Sequence, residues 1–97
     1  MNTYVILRRG GFRDAEDLRE AAERSTREGD AMADEVRWIR TYALAEPDGT
    51  LGTVCVYQAT DEDAIRRHAG KAVLPVDEIV PVADTVVVRP DPEPATV

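Results

Sequence analysis

The residues with the most chemical potential are few and lie in two stretches of the chain. His68 is the only histidine and Cys55 the only cysteine among the 97 residues, and Tyr42 and Tyr57 flank Cys55 in sequence. An imidazole titrates near neutral pH, so His68 could act as a general acid or base, with Tyr42 or Tyr57 donating a hydrogen bond to a developing oxyanion. His68, Tyr42 and Tyr57 are therefore the candidate catalytic residues.

A pocket built from these side chains would combine apolar bulk with a few polar groups, as small-molecule sites usually do. The predicted lining consists of Trp38, Tyr42, Cys55, Tyr57 and His68. Strand alternation places Trp38 with Tyr42 on one face and Cys55 with Tyr57 on one face, and the pocket requires these faces to coincide. Each residue also has a structural interpretation: His68 can be a core histidine held by a tyrosine hydroxyl, Cys55 inert packing and Trp38 core volume.

A metal site is the alternative use of His68. Neutral imidazole is a common metal ligand, and nickel accepts imidazole together with carboxylate oxygen and water. The sequence has no second histidine and no cysteine pair, so one chain supplies few of the ligands that a tight site needs. We therefore expect a sparse site for nickel or another divalent ion at His68, to which a second chain would contribute.

His68 belongs to the element that the sequence predicts most clearly, a helix that ends before Pro75. Thr60 is its predicted N-cap, and the acidic run that follows brings negative charge to the positive end of the helix dipole. An apolar stripe follows helical spacing and consists of Ala64, Ile65, His68, Ala69 and Ala72. This stripe should turn His68 inward, toward a sheet.

The other elements follow from alternation, caps and turn residues. Asp14 and Gly29 are the predicted cap and terminator of a first helix. Pro81 removes one ladder hydrogen bond, so the last strand should lie at a sheet edge. The predicted segments are a strand Thr3 to Leu7, a helix Ala15 to Glu28, strands Glu35 to Ala45 and Leu51 to Gln58 joined by a Pro47-Asp48-Gly49 turn, and a strand Glu78 to Val88.

This order of elements predicts an α+β domain of the ferredoxin-like βαββαβ kind. Two helices should cover one face of a four-stranded antiparallel sheet. The strands carry apolar residues on both faces, so a second subunit should cover the open face and the protein should be a homodimer. We expect the domain to span residues 1–88 and a Pro-rich disordered tail to follow over residues 89–97.

Composition argues against several classes of partner. The formal net charge is −7 and no stretch gathers Lys and Arg into a stripe, which disfavours nucleic acid. No apolar run approaches the roughly 20 residues that span a bilayer, so no membrane association is predicted. A lone cysteine cannot make an internal disulfide, and the first residues lack a secretory pattern, which together favour a cytoplasmic protein.

Three stretches of the sequence together resemble a known family. They are Trp38 to Tyr42 (WIRTY), Val54 to Ala59 (VCVYQA), and Asp61 to Ala69 (DEDAIRRHA) with Leu74-Pro75 behind it. These stretches are similar to a bacterial domain family whose best-known member is a small nickel-binding protein with a ferredoxin-like fold, within the wider group of dimeric α/β barrels. The chain departs from the family pattern at Val73, where glycine is usual, and at Leu7, where many members carry an acidic residue.

The resemblance implies two functions of different classes. The first is a small cytoplasmic protein that binds nickel or another divalent metal, with no organic cofactor. The second is an enzyme of the dimeric α/β barrel kind, an isomerase, cyclase or cofactor-free oxygenase that acts on a small apolar metabolite in a pocket containing His68. Neighbouring genes for metal transport would favour the first function, and a biosynthetic cluster the second.

Overall fold

Four β-strands and two α-helices follow one another in the predicted order, in a computed structural model that describes residues 1–93. The elements are β1 (Asn2–Phe12), α1 (Ala15–Ala31), β2 (Val36–Ala45), β3 (Leu51–Ala59), α2 (Glu62–Ala72) and β4 (Glu78–Pro81). Neither α1 nor α2 has the length and apolar character that a helix needs to cross a membrane.

The four strands form one antiparallel sheet in the order β2-β3-β1-β4. This order and the βαββαβ sequence of elements confirm the predicted ferredoxin-like fold. The core lies between one face of the sheet and the helices, and its sheet residues include Tyr4, Ile6, Cys55, Tyr57 and Ala59. The buried residues of α2 are Ala64, Ile65, His68, Ala69 and Ala72, the five of the predicted stripe. His68 therefore points inward, as predicted.

Strand β1 is longer than predicted and continues through the glycine pair that the sequence indicates as its end. It pairs with β3 on both sides of a bulge between Arg8 and Phe12. Within the bulge Gly10 has a φ of +56°, which L side chains rarely adopt, and its N–H donates to Glu46 Oε2 at 2.6 Å. The glycines thus make a bulge inside the strand. As a result, the alternation that buries every second residue of β1 reaches Arg8.

A second bulge lies in β2. The pairing of β2 with β3 shifts by one residue between Trp38 and Arg40, which leaves Ile39 as an extra residue. The predicted alternation of this strand is therefore wrong after Trp38, because one extra residue moves every later side chain to the other face. Thr41 faces the helices and Tyr42 faces the open side of the sheet.

The start of α1 is as predicted and its end is not. The Asp14 side chain caps the helix by accepting from the Asp17 N–H at 2.9 Å. Gly29 does not end the helix, which continues to Ala31. Met32 follows as the cap, and its N–H donates to the Gly29 carbonyl oxygen at 3.0 Å. Burial of the Met32 side chain in the core offsets the cost of about 1 kcal/mol for glycine inside a helix.

The N-cap of α2 lies one residue later than predicted. Asp61 Oδ1 accepts from the Ala64 N–H at 2.8 Å, so Asp61 and not Thr60 is the cap. The Thr60 N–H donates instead to the Glu35 carbonyl oxygen at 2.9 Å, which keeps this residue with the end of the sheet. An aspartate caps at least as well as a threonine, which explains the choice between the two neighbours.

Helix α2 ends at a strained residue. Val73 lies in the left-handed region with φ 56° and ψ 54°, the only non-glycine residue with positive φ among residues 1–93. This conformation costs an L residue roughly 1 to 2 kcal/mol. The turn compensates by closing the helix, since the N–H groups of Val73 and Leu74 donate to the carbonyls of Gly70 and Ala69.

Strand β4 is shorter than predicted. It lies at the edge of the sheet, as Pro81 indicates, but ends at that residue and does not reach Val88. The cause is the length of its neighbour: Pro81 pairs with Tyr4, and the Val82 N–H donates to the Thr3 carbonyl oxygen at 2.9 Å. Strand β1 has almost no residues left beyond that point, so the chain leaves the sheet.

The predicted tail begins in the described part of the chain and ends outside it. Residues 94–97 lie outside the described residues. Asp91 forms an ion pair with Arg40 of β2, and Val86 to Val88 are exposed. The disorder of residues 89–97 stays a prediction.

Candidate functional site

A cavity of about 260 Å³ lies between the sheet and α1. It exists because α1 presents Ala21, Ala22 and Ser25 to the sheet, and these small side chains fill little of the gap that larger core residues would close. Phe12 and Leu74 add apolar surface to its wall. We call this space the α1 cavity.

The sheet side of the α1 cavity carries a chain of hydrogen-bonded side chains. Trp38 Nε1 donates to Thr41 Oγ1 at 2.8 Å, and Thr41 donates to Cys55 Sγ at 3.1 Å. Arg8 Nη1 donates to the same sulfur at 3.1 Å. The bulge at Ile39 makes this chain possible, because it places Thr41 opposite Cys55 in the β2–β3 pair.

The side chain of Arg8 is buried in the core. Its side chain is 1 % exposed, and it forms no salt bridge within residues 1–93. Its Nε and Nη2 have no hydrogen-bond partner in that range, and neither does Oγ1 of Thr53, which lies directly opposite Arg8 in the β1–β3 pair. A guanidinium stays protonated in proteins, so a positive charge lies in the core. Gly52 lets β3 approach here, because a Cβ at this position would lie 2.7 Å from the Arg8 carbonyl oxygen.

Trp38 and Tyr57 connect the α1 cavity to a second one of about 470 Å³. Both residues contribute to the walls of both cavities, and the second wall also includes Asp30 and Arg37. The two aromatic rings are stacked, with centroids 6.1 Å apart and planes at 8°. Trp38 is 38 % exposed, so its indole contacts both solvent and the buried site.

Contacts through Ser25 connect Tyr57, in the wall of the α1 cavity, with His68. The Tyr57 hydroxyl and Ser25 Oγ are 2.9 Å apart, and His68 Nε2 lies 3.0 Å from the Ser25 carbonyl oxygen. A carbonyl only accepts, so Nε2 carries the hydrogen, and Nδ1 is buried with no partner within residues 1–93. Burial raises the pKa of the Tyr57 hydroxyl more than its hydrogen bond to Ser25 lowers it. Tyr57 is therefore a neutral phenol at physiological pH.

The five residues of the predicted pocket do not all come together. Trp38, Cys55 and Tyr57 line the α1 cavity. His68 is 1 % exposed, lies on α2 against the Ser25 carbonyl of α1, and is outside the walls of both cavities. Tyr42 is 47 % exposed on the open face of the sheet, because the β2 bulge reverses its direction. The predicted coincidence of strand faces therefore holds at Trp38 and is wrong at Tyr42.

The surroundings of His68 do not fit a nickel ion within one chain. No group of three His, Cys, Asp or Glu side chains that could hold a metal occurs among residues 1–93. One ring nitrogen of His68 already donates to a backbone carbonyl. A nickel site needs several converging nitrogen, sulfur or oxygen ligands, and this stretch of core supplies a single nitrogen.

Sequence reasoning missed Arg8, Thr53 and the Thr41 contact. The signal for Arg8 was present, since it continues the two-residue period of Tyr4 and Ile6 once the glycine pair is interpreted as a bulge. Thr53 follows from the same period in β3. No such signal exists for Thr41, because the direction of its side chain depends on a bulge that the residue types of β2 do not predict.

The chain matches one protein-family model, and its fold is similar to a solved structure. A family model described as "Nickel responsive protein SCO4226-like" matches residues 4–82. The fold is similar to a crystal structure of SCO4226 from Streptomyces coelicolor A3(2), with a TM-score of 0.67 and 21 % sequence identity. That similarity covers 87 % of this chain and 99 % of the other. No curated protein matches the sequence.

Proposed function

This chain belongs to the SCO4226-like family of nickel responsive proteins, and we propose that it acts by binding ligands and not by catalysis. The α1 cavity is the observation that carries the proposal. An enzyme of the kind that the sequence predicts would need His68 in its pocket as acid or base. His68 lies outside both cavities and Tyr42 lies on the opposite face of the sheet, which favours binding over proton transfer.

The ligand of the α1 cavity is a small molecule with a flat apolar body. Its walls combine the rings of Phe12, Trp38 and Tyr57 with small aliphatic side chains of α1. Aromatic rings bind flat ligands by stacking and edge contacts, and a mostly apolar cavity with a few polar groups is typical of small-molecule sites. The polar groups at the sheet side would fix the orientation of such a ligand.

Small planar aromatic compounds such as benzoate and benzamide should change the fluorescence of Trp38, the only tryptophan of the chain. We expect the variant Ala22→Leu to lose this response, because a larger side chain at this position fills the cavity from α1. Ala15→Leu is the matched control, since Ala15 is exposed on the same helix. An Ala22→Leu variant that binds as well as the unmodified protein would contradict the proposal.

The open face of the sheet supports assembly into a homodimer. Val5, Leu7, Val54 and Val56 point to this side and occupy neighbouring positions of β1 and β3. A chain of 97 residues buries a modest share of its surface alone, so a second copy on this face would add much to its stability. We assign the face to a second copy of this chain.

Nickel binding is a second candidate function, and family membership favours it. The description of the family names a response to nickel. Because the residues around His68 in one chain do not fit the ion, we assign nickel, or another divalent metal, to the homodimer, in which two chains contribute ligands. This assignment keeps the prediction that a partner chain contributes ligands, and it does not use His68, which is 1 % exposed and donates to the Ser25 carbonyl.

Sedimentation and nickel titration on the same sample test both assignments. We expect a dimer at micromolar concentration without metal, and saturation at fewer nickel ions than chains. Magnesium is the control, because it gives up its water ligands reluctantly and is rarely held by protein ligands alone, so it should produce little heat. A stable monomer in both conditions would exclude the dimer, and one nickel ion per monomer would exclude a shared site.

A further inference from the structure

We propose that the α1 cavity is a site for a small organic anion, a carboxylate on a flat apolar group, whose charge is bound by Arg8. The inference rests on the proposed function, in which this cavity holds a small molecule. It adds the chemical class of that molecule and the residues that select it.

The first observation is the unused binding capacity of Arg8. Arg8 contributes to the wall of the cavity, is 1 % exposed, and makes one side-chain hydrogen bond among residues 1–93, from Nη1 to Cys55 Sγ. Its Nε and Nη2 donors have no partner among residues 1–93. Buried charges in proteins are normally paired and hydrogen-bonded, so an arginine left in this state is a site for an anion.

The second observation is the absence of an internal counter-ion. No aspartate or glutamate contributes to the wall of the cavity among the described residues. All salt bridges in that part of the chain are made by other arginines, at the surface. An anion that enters the cavity would supply the negative partner that these residues do not provide.

The third observation selects a carboxylate among anions. The unpaired donors of Arg8 belong to one planar fork, which matches two carboxylate oxygens. The Thr53 hydroxyl, also unpartnered, lies opposite Arg8 and can donate to the same anion. A phosphate carries more charge and more oxygens than one arginine and one hydroxyl satisfy. The remaining walls are apolar and suit the body of an aromatic or aliphatic acid.

Benzoate and benzamide form the test pair, because they have nearly the same shape and differ in charge. We expect benzoate to bind the full chain on the order of 10- to 100-fold more tightly than benzamide, as measured by Trp38 fluorescence, since hydrogen bonds to a charged group contribute that much. Benzoate should also shift the NMR signal of the Arg8 Nε–H group, which a purely apolar contact would not do.

Two variants identify the residues. Arg8→Met removes the charge at similar volume and should reduce benzoate affinity to that of benzamide, while the thermal stability of the ligand-free protein stays the same or rises. Arg13→Met makes the same charge change at an exposed residue and should leave binding unchanged. Thr53→Val keeps the shape of residue 53, and should weaken benzoate several-fold without affecting benzamide, even if Arg8→Met does not fold.

Each outcome decides between the two proposals. Equal binding of benzoate and benzamide, or unchanged benzoate binding in Arg8→Met, would overturn the anion site and leave the cavity function intact. No binding of either compound at millimolar concentration would overturn both. We expect the protein to bind benzoate more tightly than benzamide. This preference should disappear in Arg8→Met and remain in Arg13→Met.

Discussion

Replacing Tyr57 with alanine should destabilise the fold by about 3 to 5 kcal/mol, the range for removing a large aromatic side chain from a core. Tyr57 is 2 % exposed, stacks on Trp38 and lies with its ring centroid 5.6 Å from that of His68. Small domains are stable by roughly 5 to 15 kcal/mol in total. The Tyr57→Ala variant should therefore be partly unfolded at physiological temperature, as measured by urea denaturation.

Tyr57→Phe is the control that separates the ring from the hydroxyl. It keeps the packing and removes only the hydrogen bond with Ser25, so we expect a loss of about 1 kcal/mol. Both variants should be compared at the same protein concentration, because assembly changes apparent stability. If the alanine variant lost no more stability than the phenylalanine variant, Tyr57 would not be the centre of the core that its position indicates.

Replacing His68 with asparagine should destabilise the protein by about 1 to 3 kcal/mol, because the Ser25 carbonyl loses its buried donor. For a domain of this size that loss corresponds to a fall in Tm of roughly 5 to 20 °C. The heat of nickel binding should be unchanged. Scanning calorimetry and nickel titration on the same variant measure the two effects.

The two measurements distinguish a structural histidine from a metal ligand. A large loss of nickel heat in a well-folded His68→Asn variant would contradict the structural role and return His68 to the metal site that the sequence predicts. Asp30→Asn is a useful control, because this carboxylate lies in the wall of the second cavity and outside the Ser25 contact. It should alter neither stability nor nickel heat appreciably.

Local signals predicted those parts of the fold that local interactions determine. Helix α2 is the clearest case, since its five buried residues follow from spacing alone. The order of strands follows from the order of elements, and the edge position of β4 follows from a single proline at residue 81. The direction of His68 could be predicted for the same reason, because it depends only on the turn of one helix.

The features that could not be predicted depend on pairing between distant segments. The end of β4 depends on where β1 begins, so Glu78 to Val88 looked like a strand although its partner stops near Thr3. The lining of the α1 cavity depends on the bulge at Ile39, because the bulge determines whether the side chain of Thr41 or that of Tyr42 faces the helices. The burial of Arg8 was missed for a related reason. A glycine pair in a bulge within a strand cannot be distinguished by residue type from a glycine pair that ends a strand.

The bulge at Ile39 also affects how relatives of this chain should be aligned and engineered. One residue more or less in β2 exchanges the side chains of residues 40–45 between the cavity and the outer surface, without changing any of them. Deleting Ile39 would bring Tyr42 to the helix side and remove Thr41 from Cys55. A sequence alignment that places the gap in the neighbouring loop, and not in the strand, would thus match residues of β2 that do not occupy equivalent positions. In this fold a single insertion or deletion in β2 can therefore replace several side chains that line the cavity at once, which would otherwise take a series of substitutions.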